Sequence, residues 1–181
     1  MKSTLYSIGH GTKTIDEFCN ELNSFNITYL VDVRSKPYSK WNPNFNQDIL
    51  KYLSSKRKII YVYMGDVIGG IPNDMSCYTD GHIDYKKMGE KQSFIDGLNR
   101  LIIANKKGIK LAVMCSESDP TMCHRSKLIG EELSKKGIQM KHIIAVNKYK
   151  TQTDIINAIT KGNGLNNLFG EEVLISRKAY I

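Results

Sequence analysis

The sequence predicts a single three-layer α/β domain built on a mostly parallel sheet of about five strands. Three observations carry this expectation. Short continuous apolar runs alternate with longer amphipathic segments, the pattern of parallel strands buried on both faces and of the helices that cover them. The 181 residues suffice for one sizeable core and are too few for two comfortable ones. Polar clusters also follow four of the apolar runs at their carboxyl ends, where open α/β sheets place their ligands.

The elements follow in order. "LYSI" (5–8) is a first strand that ends in Gly9-His10-Gly11. A helix starts after Thr14, with Glu17 at the reciprocal position of a capping box and Ile15, Phe18, Cys19, Leu22 and Phe25 at the spacing of a buried face. "TYLVDV" (28–33) is a β-branched strand that delivers Asp32 and Arg34. Pro37 and Pro43 keep the next loop irregular until Asn46 caps a helix running to about Lys56. "IIYVYM" (59–64) is the third strand. Residues 65 to about 89 hold glycine breaks, Pro72 and no sustained period, and are expected to form a long loop or lid. Residues 92–108 form an amphipathic helix stopped by Gly108, 109–115 the fourth strand, 124–137 a helix stopped by Gly137, and 139–146 the fifth strand. Strands joined in this way by right-handed crossovers give a Rossmann-like arrangement. Beyond the core at about 5–145, the extension 146–181 offers a last helix in "TQTDIINAIT" and, in "EEVLISRKAYI", an edge strand or a docked terminus.

Charge and composition narrow the function classes. Twenty-six Lys and Arg against 18 Asp and Glu leave a net charge of +8, which favours a phosphate-bearing partner such as nucleic acid or a nucleotide; the plainer alternative is a solvated basic surface. No run approaches the ~20 apolar residues of a membrane span, and "MKSTLYSIGH" lacks the apolar stretch of a secretory signal, so a cytoplasmic protein with no membrane partner is expected. The four scattered cysteines are then thiols.

The chemistry is expected where strands end. Cys123, His124, Arg125 and Ser126 fall in the first turn of a helix, where unpaired N–H groups attract a phosphate or carboxylate, and Arg125 adds a bidentate donor. The alternative is that Arg125 pairs with Asp32 or Glu117 to hold the sheet. The leading expectation is a hydrolase acting on nucleic acid or a nucleotide, with an N-glycosidic bond as one candidate for the bond it cleaves. Glu117, Asp32 and His10 would run the acid–base work, while Arg34, Arg125 and the helix start hold phosphate. Tyr38, Trp41 and Phe45, interleaved with Lys36 and Lys40 and closed by Asn46, would stack on a base; alternatively Trp41 and Phe45 staple the following helix.

Three other readings compete. Cys123 beside His124 at a helix start would have its thiol pKa lowered, with Cys115 more simply structural. Cys115, Cys123, His124 and His10 are candidate soft metal ligands, but adjacent Cys123 and His124 side chains are expected to diverge on a helix. The "C-x-E … P-x-x-C" pattern fails a comparison with zinc deaminases on spacing. No metal and no cofactor is therefore expected. The last reading is a non-catalytic nucleic-acid-binding or regulatory module.

Four ordered motifs, "IGHGTK" (8–13), "DVRSKPYSKWNPNFN" (32–46), "YVYMGDVIGG" (61–70) and "CSESDPTMCHRS" (115–126), together with the weaker "DYKKM" and "SFIDGLNRL", resemble the domain-of-unknown-function 488 family. Gly11, Lys13, Lys40 and Tyr63 depart from its usual Ser, Arg, Arg and His; the last removes a base at position 63. The resemblance implies one α/β domain and marks His10, Asp32, Arg34, Pro37, Asn46, Gly69, Gly70, Cys115, Glu117, Cys123, His124 and Arg125 as family-type positions. It implies no particular activity.

Overall fold

The computed structural model describes residues 4–167, 170, 171 and 173–181. Its centre is a six-stranded sheet. Strand β1 (Leu5–Gly9) leads to helix α1 (Ile15–Ser24), β2 (Tyr29–Asp32), α2 (Gln47–Ser55), β3 (Ile60–Tyr63) and the single turn α3 (Gly65–Ile68). A hairpin of β4 (Tyr78–Thr79) and β5 (His82–Ile83) follows, then α4 (Tyr85–Gly89), α5 (Gln92–Lys106) and β6 (Leu111–Cys115). A helix then runs through a wide π turn at Arg125–Gly130 into α6 (Glu131–Lys135). The chain continues through β7 (Lys141–Ala145), β8 (Lys148–Thr151) and α7 (Gln152–Ile159) to the small pair β9 (Asn166–Asn167) and β10 (Gly170–Glu171).

The sheet order is β3-β2-β6-β1-β7-β8, with the first five strands parallel and β8 antiparallel at the edge. The strand period divides the core in two. Leu5, Val31 and Val113 face one layer with Phe94, Leu98, Leu101, Leu128 and Leu133. Tyr6, Ile8, Leu30, Ala112 and Met114 face the other with Phe18, Leu22, Phe45 and Leu50. Burying one such large side chain contributes about 1.5–3 kcal/mol, so covering both faces is what drives the three layers. No helix among the described residues is long and apolar enough to cross a membrane.

The sequence expectation holds for the first five strands and for the Thr14 cap, whose hydroxyl accepts from Glu17 N–H at 3.2 Å while Glu17 accepts from Thr14 N–H at 2.7 Å. It fails at three places. Residues 65–89 are not an open loop; α3, the hairpin and α4 are built there on short-range turns such as Asp84, whose carboxylate accepts from the Lys86 and Lys87 N–H groups. The sheet gains β8, because Asn147 takes a left-handed turn (φ 57°) that sends the chain back along β7. Asn46 stands at the start of α2 but does not cap it: its Oδ1 accepts from Ser39 N–H at 2.6 Å and so closes the preceding loop. The terminus 173–181 is docked, pairing at Ile175 with Asp84 and at Ser176 with Ile83; Glu172 lies outside the described residues.

The π turn is held from outside. Ser126 C=O accepts from Glu131 N–H, five residues on, and also from Gln152 Nε2 at 3.0 Å. Gln152 Oε1 in turn accepts from His142 Nε2 at 2.8 Å, and His142 Nδ1 takes the Ser7 hydroxyl at 2.7 Å. Gly130 leaves room for this, since a Cβ there would overlap the Gln152 amide. The helix that begins at the candidate site is thereby keyed to the strands β1 and β7.

Candidate functional site

The carboxyl ends of β1, β2, β3 and β6 do meet at one edge, as the register requires: Gly9 lies beside Cys115, and Asp32 beside Met114 and Tyr63. A cavity of about 250 Å³ opens there. Arg34, Lys36, Cys115, Glu117, Cys123 and His124 line it from the strand ends and the helix start, with Gly70, Tyr85, Arg177, Lys178 and Tyr180 completing the wall.

Behind this cavity Asp32 holds Arg34, whose side chain lines the cavity and whose Nη1 is buried without a partner among the described residues. Arg34 Nε and Nη2 donate to Asp32 Oδ1 and Oδ2 at 2.9 and 2.6 Å, Tyr61 OH donates to Oδ2 at 2.6 Å, and Arg34 Nη2 also reaches Phe45 C=O at 2.7 Å. Asp32 is wholly buried. Burial, and then the carboxylate it donates to, push the Tyr61 phenol well above its ordinary range. With both oxygens engaged, Asp32 orients Arg34 and has no lone pair facing a water in the cavity. Tyr61 is a partner that the sequence did not mark, although a tyrosine one strand away from a buried aspartate was a readable signal.

His10, Arg125 and Ser126 do not line the cavity. His10 is buried, stacks on Phe45 with ring centroids 4.3 Å apart and holds Gly11 C=O at 3.0 Å through Nδ1, while its Nε2 has no partner among the described residues. Burial, reinforced by the charge of Arg34, pushes its pKa down to about 4. Arg125 is wholly buried, and its guanidinium donates to Glu117 C=O and Ser118 C=O, the latter at 2.8 Å. It neither faces the cavity as an anion donor nor meets the Asp32 or Glu117 carboxylate of the alternative reading; it shapes the 115–123 loop through the backbone instead. A side chain at Gly9 would strike this same carbonyl and guanidinium. The Ser126 hydroxyl is spent on Pro120 C=O and Cys123 C=O.

The floor of the cavity is the trio Cys115, Cys123 and His124. His124 Nδ1 lies 3.8 Å from Cys115 Sγ and 3.7 Å from Cys123 Sγ, and all three atoms lie within 4.8 Å of one another. The expected divergence of Cys123 and His124 is thus corrected: His124 opens the helix, while Cys123 precedes it in extended backbone (φ −123°, ψ 145°) that swings its thiol back toward the ring. The loop closes because Asp119 Oδ1 accepts from Thr121 N–H at 2.9 Å, forming a short 3-10 turn at Pro120–Met122 that returns the chain to β6. All four cysteines of the chain are buried thiols. A hydrogen bond from Cys123, aided by His124 and Arg125, holds the Cys115 thiol well below its usual range; burial pushes Cys123 well above. Gly70 lies against the imidazole, where a Cβ would be 2.6 Å from Nδ1. His124 Nε2 is buried without a partner among the described residues.

Glu117 is half-exposed at the cavity wall, with Oε1 3.7 Å from Arg177 Nη2. Lys36 is exposed at the rim, Tyr38 is 71% exposed and Trp41 93% exposed, so Trp41 staples nothing. Phe45 is wholly buried against His10 and Phe18 and is no stacking platform. Arg177, Lys178 and Tyr180 were not foreseen as site residues. The basic and aromatic run "SRKAY" was their only mark, and a contact between residues as distant in the chain as Glu117 and Arg177 leaves no periodic trace.

The family model described as "Domain of unknown function DUF488" matches residues 14–130. No curated protein and no solved structure matches the chain.

Proposed function

The chain belongs to the DUF488 family, and on that premise we propose that it is a hydrolase acting on a phosphate-bearing substrate, a nucleotide or a nucleic-acid end. One observation carries the reading. Arg177, Lys178 and Lys36 line the wall and rim of a cavity whose floor holds Cys115, Cys123 and His124 and whose wall holds the carboxylate Glu117. Cations at the mouth draw in and orient the anion, and a low-dielectric floor strengthens every polar contact with the reacting centre. In this reading Glu117 handles the proton, while Asp32, Arg125 and Ser126 act as positioning residues through Arg34 and the 115–123 loop. Cleavage of an N-glycosidic bond is the first reaction to test, with Glu117 taking a proton from water as the water oxygen bonds the sugar carbon and the base departs with its electron pair.

A nucleic-acid strand, as opposed to a lone nucleotide, is favoured by Trp41 and Tyr38, which stand exposed on the loop that carries Lys36 and Lys40. Calorimetric titration with nucleoside monophosphates and short single strands tests the reading. Expected is binding that weakens with salt and is lost in Arg177→Glu/Lys178→Glu, while Glu117→Gln retains binding and loses turnover. Equal binding by the charge-reversed variant would reject it.

A further inference from the structure

We infer that Cys115, Cys123 and His124 form a binding centre for a zinc-type divalent ion, with its fourth coordination position turned to the cavity. The inference deepens the reading of this cavity as the working site, and it stands on geometry. Two separations of 3.7 and 3.8 Å, with the third side under 4.8 Å, enclose a point roughly 2.3 Å from each ligand atom. That matches Zn–S bonds of ~2.3 Å and Zn–N bonds of ~2.0 Å, for which tetrahedral sulfur and nitrogen atoms lie about 3.6 Å apart. A single imidazole nitrogen faces two sulfurs at once, the arrangement of three donor atoms that share one ion.

Burial and setting agree with the geometry. All three residues are buried, and all three line the cavity, so an ion held by them would be screened from bulk water yet reachable by a ligand. Two thiolates and one neutral imidazole form a donor set suited to a borderline-soft ion, and three protein ligands with one open position is the pattern of ions that do chemistry as opposed to ions that only staple a fold. The two sulfur ligands come from the end of β6 and from the residue before the helix, so the site needs the 115–123 loop to fold back. Asp119 and Arg125 enforce this through Thr121 N–H and the Glu117 and Ser118 carbonyls. Gly70 sets the ring plane by packing against it. His124 Nε2, buried with no partner among the described residues, is the one atom of the trio left for an outer-shell hydrogen bond. Bound there, a zinc-type ion would supply Lewis acidity at the cavity floor, across from the Glu117 carboxylate.

The test uses the whole protein. After stripping with a chelator and restoring reductant, Co²⁺ and Zn²⁺ are titrated in separately, and bound metal is counted by plasma mass spectrometry. Expected is one equivalent per chain, with the intense visible absorption and thiolate-to-cobalt charge transfer of a tetrahedral sulfur-ligated ion. Cys115→Ser and Cys123→Ser should each weaken binding by more than about 100-fold, and Gly70→Ala, which changes no ligand, by about 10-fold. Absence of stoichiometric metal in the reduced wild-type protein, or octahedral cobalt spectra without charge transfer, overturns the inference, as does metal binding that survives both cysteine variants. The wild-type cobalt spectrum decides the matter even if a variant fails to fold. Loss of metal binding with nucleotide binding intact would reject the centre alone; the Arg177→Glu/Lys178→Glu titration judges the anion site separately.

Discussion

Two strand ends on the same edge of the sheet treat their polar residues in different ways. At the end of β2, Asp32 has both oxygens engaged by Arg34 and Tyr61, while Arg34 Nη2 also reaches Phe45 C=O and its Nη1 is buried with no partner among the described residues. At the end of β6, Cys115, Cys123 and His124 sit within reach of one another with a ring nitrogen unpaired among the described residues and a cavity in front of them. The Asp32 carboxylate spends its hydrogen-bonding capacity internally and orients its neighbour; Arg34, which lines the cavity, and the trio leave capacity over, which is what a ligand needs. Polar residues after a strand are therefore not one class. Whether their bonds are already made separates a residue that holds its neighbour, as Asp32 does, from one with capacity left for a ligand.

The largest expected effect breaks the ion-paired end. Asp32→Ala strands the buried Arg34 guanidinium and should destabilise the protein by about 3–5 kcal/mol, whereas Cys115→Ala, at the other end, should cost about 1 kcal/mol or less. Urea denaturation of both variants measures this contrast, and equal losses would erase it.

Acid acts on groups outside the trio. His10 and His142 are both held neutral, each pushed down to about 4 by burial. Their unfolded counterparts bind protons near pH 6.5, so the unfolded state takes up more protons between pH 6.5 and 4 and stability falls as pH drops through that window. A tenfold difference in proton affinity between the two states is worth ~1.4 kcal/mol, which makes the loss about 3 kcal/mol for each residue. It is complete near pH 4 and absent above about pH 7. Unfolding midpoints across this range check the sign, and His142→Gln should remove part of the slope.

Smaller effects sharpen the division. Tyr61→Phe takes one hydrogen bond from Asp32 and should cost about 1–2 kcal/mol in a denaturant titration, with cobalt binding at the trio unchanged. Trp41→Ala should leave stability within about 0.5 kcal/mol, because the indole touches almost nothing, yet weaken single-strand binding by about 1–3 kcal/mol in a fluorescence titration. A Trp41 variant that unfolded would show that the exposed ring is structural after all.

The sequence made the scaffold legible because periodicity and caps are local. Leu5, Val31 and Val113 alternate with their neighbours as any buried strand does, and Thr14 with Glu17 announces its helix within a single turn. The edge that holds the site was legible as well, since Gly9, Asp32 and Cys115 each close an apolar run. What escaped was the pairing among those ends. Asp32 looked like a base until Tyr61 and Arg34 were seen to occupy it, and Arg125 looked like an anion clamp until its guanidinium was found on two backbone carbonyls. Cys123 and His124 were expected to diverge because a regular helix would part them; the extended backbone at Cys123 reverses that and follows from the 3-10 turn before it, which no hydrophobic pattern encodes.

The wide turn at Arg125–Gly130 places one residue more in that stretch than an α-helix would hold. Remove a single codon there, restore the ordinary ladder, and everything upstream swings by about 100° around the helix axis. His124 would rotate off the cysteines while Leu133 and the rest of α6 kept their seats in the core. A one-residue deletion series through this stretch would therefore yield a chain that folds with its imidazole pointing elsewhere, which also suggests how such a cluster can arise from a plain helix by the gain of one amino acid.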